Sequence, residues 1–210
     1  MKNFKLGFLV LLICLLFTAC SETTDKKETQ AKKPEADISI KESKFSNFEK
    51  ELIGAYAQNN IPYQVLIHNK KAKKLTIAID KYNNGKFIKT ISESSTSLDA
   101  NDKRHPINLI FSRKEIDEKH EQWINIIFFK NGNLVSTTDP LPIKASENSI
   151  MAYGPVHLPL TMQLGESKII GSFAQTGQDG SWVQAEINTK KDIQRATNYE
   201  EAYLVRFETK

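Results

Sequence analysis

The sequence predicts an all-β fold for residues 47–210, an antiparallel β-sandwich of immunoglobulin-like or jelly-roll-like kind with at most a short N-terminal helix. Three observations carry this. Apolar and polar residues alternate with a period of two through most of the chain beyond Ile61, as in strands with one face inward. Turn signals rich in Gly, Asn and Asp recur at intervals of about ten residues. No long stretch carries the 3.6-residue period of an amphipathic helix.

The chain begins with an address. Lys2 and Lys5 form a positive head, Leu6 to Phe17 is uninterruptedly apolar, and the small residues Thr18 and Ala19 follow. That is the pattern of a secretory signal, residues 1–19, and it is shorter than the ~20 apolar residues of a membrane-spanning helix. Phe17 is too bulky for the −3 position of an ordinary signal-peptidase site. The tetrapeptide FTAC, Phe17 to Cys20, resembles a bacterial lipobox. The resemblance implies that Cys20 receives a diacylglycerol and becomes the first residue of the mature protein. Acyl chains contribute about 0.8 kcal/mol per buried CH₂, so two or three hold a protein stably on a membrane.

Residues 20–46 read as the lipidated cysteine and a disordered tether. Ser21 to Ser46 interleaves acids with lysines and holds few apolar residues, so burial cannot offset the entropy of ordering it. As a flexible coil it would reach roughly 25–30 Å. The other cysteine, Cys14, lies in the signal, which leaves the mature fold without a disulfide. Without Lys2 and Lys5 the 29 basic residues become 27 against 25 acids, a net charge of +2. Such a balance argues against nucleic acid as a partner. Abundant Lys and Asn with little Arg suggest an AT-rich Gram-positive source, hence a protein on the extracellular face of the cell membrane.

The folded part opens with KFSNFEKELIGAYAQNN, where Phe45, Phe48 and Leu52 have near-helical spacing and Gly54 is a stop. Tyr63 to His68 and Lys74 to Tyr82 read as strands joined by the charged turn Asn69 to Lys73. Asn84-Gly85 then predicts a two-residue hairpin loop. That loop places Lys89 opposite Asp80 and Ile88 opposite Lys81, with Leu75, Ile77, Ile79 and Ile88 as the core face. Ile107 to Ser112 is a further strand. Gln122 to Lys130 carries Trp123, Ile127 and Phe129 on one face and Ile124, Ile126 and Phe128 on the other, so it reads as a central strand buried on both sides. Asn131-Gly132 predicts a second two-residue loop that pairs Phe129 with Leu134 and Phe128 with Val135. Beyond DPLPI, strands are expected at Ser149 to Tyr153, Leu158 to Gln163, Lys168 to Phe173, Ser181 to Ile187 and Glu201 to Glu208.

Three of these stretches, IPYQVLIHNKKAKKLTIAIDKYNNGKFIKTI, LGESKIIGSF and YEEAYLVRFETK, resemble an arrangement in uncharacterised Gram-positive lipoproteins. There a strand pair ends in a DGKW-like turn, and LGKEKILA-like and YxVTVKF-like strands follow. Here the turn reads NGKF, without the Trp. The resemblance covers most of residues 61–210, implies a β-rich surface domain, and carries no functional residues over.

No nucleophile elbow, phosphate loop, dinucleotide fingerprint, H-E-x-x-H or C-x-x-C occurs, so no catalytic residue is assigned and no cofactor is expected. The densest polar cluster, Glu115 to Glu121, offers Glu118 and His120 as weak metal-ligand candidates. Its lysines and lack of ligand spacing favour a solvated loop. Trp182 is the more interesting residue. If Val183, Ala185 and Ile187 face the core, then Trp182 and Gln184 point outward beside Asp179 and a Gly-rich loop, a platform for a sugar or a protein. Burial against the other sheet is the competing expectation.

The expectation is a non-catalytic, membrane-anchored binding module whose partner is a protein or a cell-wall glycan. The alternative is a small-molecule or metal-ion binding accessory lipoprotein of a transporter or sensor.

Overall fold

In a computed structural model of the chain, the described residues are 35–45, 51, 53–54, 59–143, 150–176 and 187–210. Chain contacts separate Met1–Glu35 from a compact unit, Ala36–Lys210. That unit is a sandwich of two antiparallel sheets. In chain order the strands are β1 (Ile38–Glu42), β2 (Asn59–Ile67), β3 (Lys74–Asn83), β4 (Lys86–Ser97), β5 (Ile107–Asp117) and β6 (His120–Phe129). They continue as β7 (Gly132–Thr137), β8 (Leu141–Pro142), β9 (Ile150–Pro155), β10 (Leu160–Met162), β11 (Ser167–Thr176) and β12 (Ala202–Thr209). The first sheet runs β10-β1-β2-β5-β6-β7, with β8 also on β6, and the second runs β4-β3-β12-β11-β9.

The all-β expectation is met, with several corrections. The domain starts earlier than residue 47. Ile38 and Ile40 in β1 are fully buried and pair with β2 and β10, although ISIKE lies inside the stretch read as tether. Three alternating residues suffice for a strand when both neighbours are in place. A short helix that the sequence reading did not expect, α1 (Lys190–Ala196), lies near the C-terminus. Within the segment expected to hold the N-terminal helix, Glu51, Ile53 and Gly54 are helical, Lys44 and Phe45 are not, Asn59 and Asn60 belong to β2, and the others lie outside the described residues. So does the expected strand at Ser181 to Ile187, except Ile187 itself, which is in no strand. The charged turn Asn69 to Lys73 carries the chain from one sheet to the other. Among the described residues no helix is long and apolar enough to cross a membrane.

Asn84 and Gly85 have φ of 46° and 78°, as a tight hairpin loop requires. The register beyond it differs from expectation, because Lys81 pairs with Lys89 and Tyr82 with Phe87, leaving Ile88 as an extra residue. A second irregularity leaves out Ile91, since Ile79 pairs with Ser92 and Asp80 with Thr90. Bulges turn side chains to a new face, and Ile88 is 53% exposed rather than in the core. The second Asn-Gly does not form the expected loop. Phe129 pairs with Gly132, Phe128 with Asn133 and Ile127 with Leu134, so Lys130 and Asn131 make the turn. In β6, Trp123 and Ile127 are buried, while Ile124, Ile126 and Phe128 on the opposite face are only half-covered.

The core lies between the sheets and is built around Trp123, Tyr63, Tyr203, Phe111, Phe173 and Phe207. Trp123 meets Phe173 edge-on at 4.8 Å between centroids and Tyr203 at 4.5 Å. Such pairs add about 0.5–1.5 kcal/mol each beyond the area they bury.

Candidate binding groove

The described fold gathers side chains in two places, one closed and one open. The closed one lies within the core. Glu121, fully buried, accepts hydrogen bonds from Arg113 Nε, from Trp123 Nε1 at 3.1 Å and from the Tyr203 hydroxyl at 2.9 Å. Glu201, also buried, accepts from Lys81 Nζ at 2.6 Å and lies 3.3 Å from the Tyr203 hydroxyl. Lys81 Nζ sits 5.2 Å from the centre of the Tyr203 ring. Burial, then the two carboxylates, push the Tyr203 phenol far above its usual range. Each acid has a cation and each donor an acceptor, so the cluster is suited to joining the sheets.

The open site is a groove of about 390 Å³ on the outer face of the second sheet. Asp80 on β3 and Arg206 on β12 form its floor. Their strands pair Asp80 with Leu204 and Ala78 with Arg206, so the two side chains are diagonal neighbours on one face. Arg206 donates from Nε to Asp80 Oδ2 at 2.8 Å and from Nη2 to Oδ1 at 3.3 Å. The Thr90 hydroxyl donates to Oδ1 at 2.6 Å, from the strand position that the bulge at Ile91 sets opposite Asp80. Glu93 flanks the guanidinium at 3.8 Å. The hydrogen bond to Asp80 holds Arg206 more firmly protonated, against the effect of its partial burial.

One wall is apolar. Tyr82, Ile169, Ile187 and Ile193 line it, backed by Leu204, Val156 and Ala196. Ile193 is positioned by α1, which begins with a capping box: Thr189 Oγ1 accepts from the Asp192 amide and Asp192 Oδ2 accepts from the Thr189 amide. The Thr189 hydroxyl, with backbone N–H groups, holds the Asp192 carboxyl below its usual range. Partial burial raises the Tyr82 phenol, and the Asp80 charge adds to this. Glu166, Ser167 and Lys168 also line the groove, with Lys168 Nζ donating to Thr161 O at 2.9 Å.

A second hollow, of about 580 Å³, is lined by residues that include Glu42, Phe45, Ile53 and Pro62. Its lining also carries Lys44, and it borders residues outside the described ones.

The residues singled out from the sequence fall elsewhere. Cys20, Asp179, Trp182 and Gln184 lie outside the described residues. Glu118 and His120 are exposed at the β5–β6 turn, where His120 Nδ1 lies 2.9 Å from Asp117 Oδ1. The Lys119 amide, then His120, keep the Asp117 carboxyl low. Among the described residues no group of three or more His, Cys, Asp or Glu side chains is arranged to hold a metal ion. Sequence reasoning missed Arg206 and the groove-facing role of Asp80, which are 126 positions apart and meet only through the pairing of β3 with β12, and Lys168, which β11 brings beside them.

The YgaN domain family matches the chain over residues 39–209, and the chain belongs to that family. The match begins within β1, in agreement with the earlier domain boundary. No curated protein and no solved structure matches the chain.

Proposed function

We propose that this YgaN-family chain is a non-catalytic binding module, held on the extracellular face of the cell membrane through a lipid on Cys20, that captures its ligand in the groove at the junction of α1 and the second sheet. The observation that carries the reading is the groove itself, a concave site where an apolar wall faces a fixed ion pair. Small-molecule sites have this composition, and their volumes run from about 300 to 1,000 Å³. The acids and bases that the described fold brings together are held in ion pairs and hydrogen bonds, which suits recognition better than proton transfer.

The test is thermal unfolding of the detergent-solubilised protein against metabolites, glycan fragments and divalent metals. A ligand at 100 times its Kd adds about 2.7 kcal/mol of stability. We expect a stabilising ligand whose effect disappears in Arg206→Ala, and stabilisation that survives this change would move the site elsewhere. For the anchor, Cys20→Ser should release the protein from the membrane fraction. If it stays as firmly bound, the lipid reading is wrong.

A further inference from the structure

We infer that the groove takes an uncharged saccharide; this deepens the binding reading above and rests on it. The first argument is charge. The lining holds two acids, Asp80 and Glu166, and two bases, Lys168 and Arg206. Arg206 is paired with Asp80, and Lys168 lies 3.9 Å from Glu166. An anion entering the groove meets Asp80 and Glu166, with Glu93 beside Arg206. A cation meets Arg206 and Lys168. Either is repelled by the like-charged member of each pair, whereas a neutral ligand meets no such repulsion.

The second argument is hydrogen bonding. Asp80 Oδ1 accepts twice, from Thr90 and Arg206, while Oδ2 accepts once. A carboxylate has about four acceptor sites, so Oδ2 retains capacity. Arg206 turns its Nε and Nη2 edge to Asp80, so its Nη1 donors face the other way across the guanidinium. Donors and an acceptor offered from one fixed pair fit a ligand that carries several hydroxyl groups, each of which both gives and receives. Because the ion pair locks both side chains in place, little freedom is lost when they bind. A wholly apolar ligand would desolvate Asp80 and Arg206 without replacing their water contacts.

The third argument is shape. Tyr82, Ile169 and Ile193 present an apolar wall against which the C–H face of a sugar ring can lie. Phe87 braces the Tyr82 ring edge-on, with 5.6 Å between centroids.

The experiment titrates the detergent-solubilised protein with maltotetraose, cellotetraose and chitotetraose, with tetragalacturonate and a glucosamine tetramer as charged counterparts, alongside a non-saccharide metabolite panel. Thermal unfolding and calorimetric titration are the readouts. A neutral oligosaccharide should bind, and a charged counterpart should bind at least tenfold more weakly. Binding should be lost in Arg206→Ala and also in Ile193→Trp, which fills the groove while leaving the ion pair untouched. If only charged sugars or non-saccharides bind, and Ile193→Trp abolishes that binding, the saccharide assignment falls and the groove stands. If nothing binds, or binding is unaltered in Ile193→Trp, the groove itself is refuted.

Discussion

Gly171→Ala should destabilise the domain through one close approach, and Tyr63→Phe should relieve it. Gly171 lies in β11 just after a bulge, where Ile169 pairs with Arg206 and Gly171 with Val205, so that Ile170 is extra. A Cβ on Gly171 would fall inside hard contact with the Tyr63 hydroxyl, with Ile61 Cδ1 at 3.2 Å and Gly154 O at 3.4 Å. The hydroxyl cannot yield cheaply. It is fully buried and donates to Ile170 O at 2.5 Å. Moving it away strands a buried donor, at about 1–3 kcal/mol, and overpacking the core costs about 1–3 kcal/mol more. The lower entropy of the unfolded alanine chain returns about 0.4–1 kcal/mol, so a net loss of roughly 1–5.6 kcal/mol is expected. Tyr63→Phe alone should cost about 0.5–1.5 kcal/mol, since Ile170 O still accepts from the Val156 amide. With the hydroxyl gone the Cβ has room, and the double variant should fall short of the sum of the singles by at least about 1 kcal/mol. Urea unfolding at constant m gives all three values. Additivity to within about 0.3–0.5 kcal/mol would show that the two groups do not meet.

Glu121→Ala leaves the buried Arg113 guanidinium with only the exposed Glu115 as an acid partner and removes an acceptor from Trp123 and Tyr203; it should cost about 3 kcal/mol in urea unfolding. A loss below about 1 kcal/mol would mean that the cluster is not formed. Burial raises both Tyr63 and Tyr203, so their contribution is complete below the unfolded phenol value of about 10 and is lost as pH rises above it, because the unfolded chain releases those protons first. The urea midpoint should therefore fall between pH 9 and 11, less steeply in Tyr203→Phe, and a flat profile would contradict the burial. Thr189→Ala removes the cap of α1 and should cost about 1 kcal/mol, with weakened ligand binding as Ile193 loses its support. Unchanged stability and binding in that variant would detach the helix from the groove.

Strands were legible wherever alternation ran long enough, as in β3, β5, β6 and β12, and the Asn84-Gly85 loop was legible from its chemistry. The same dipeptide at Asn131-Gly132 misled, because the pairing of Ile127 with Leu134 and Ile126 with Val135 decides the register there and sets the turn one residue earlier. β1 was hidden by its surroundings, since ISIKE differs little in composition from the lysine-rich chain before it. α1 was hidden by brevity, although Thr189-x-x-Asp192 is a capping-box spacing. The closed cluster left a subtler trace. Glu121 and Glu201 stand in strings of charge, EKHEQW and NYEEAY, that look like surface. Yet each precedes a large aromatic by two positions, Trp123 and Tyr203, and on a strand that puts it on the same, inward face. The groove left none, because no local rule joins Asp80 to Arg206.

The closed cluster and the groove are two faces of the same pair of strands. On β3, Asp80 points outward to Arg206 and Lys81 points inward to Glu201; at the start of and along β12, Glu201 and Tyr203 point inward and Arg206 outward. Apolar packing opposes a one-residue slip, because Leu75, Ile77 and Ile79 of β3 would turn away from the core. A one-residue slip of β3 against β12 would send Lys81 into solvent, bury Asp80 and separate both ion pairs at once. The inner cluster thus adds to the apolar pattern in holding the register that fixes the outer pair. It also couples that register to the other sheet, because Glu121, on β6, is held by Tyr203 of β12. A recognition site built on an open sheet face needs its polar groups fixed before the ligand arrives, and here the fixing is done from the opposite side of the sheet.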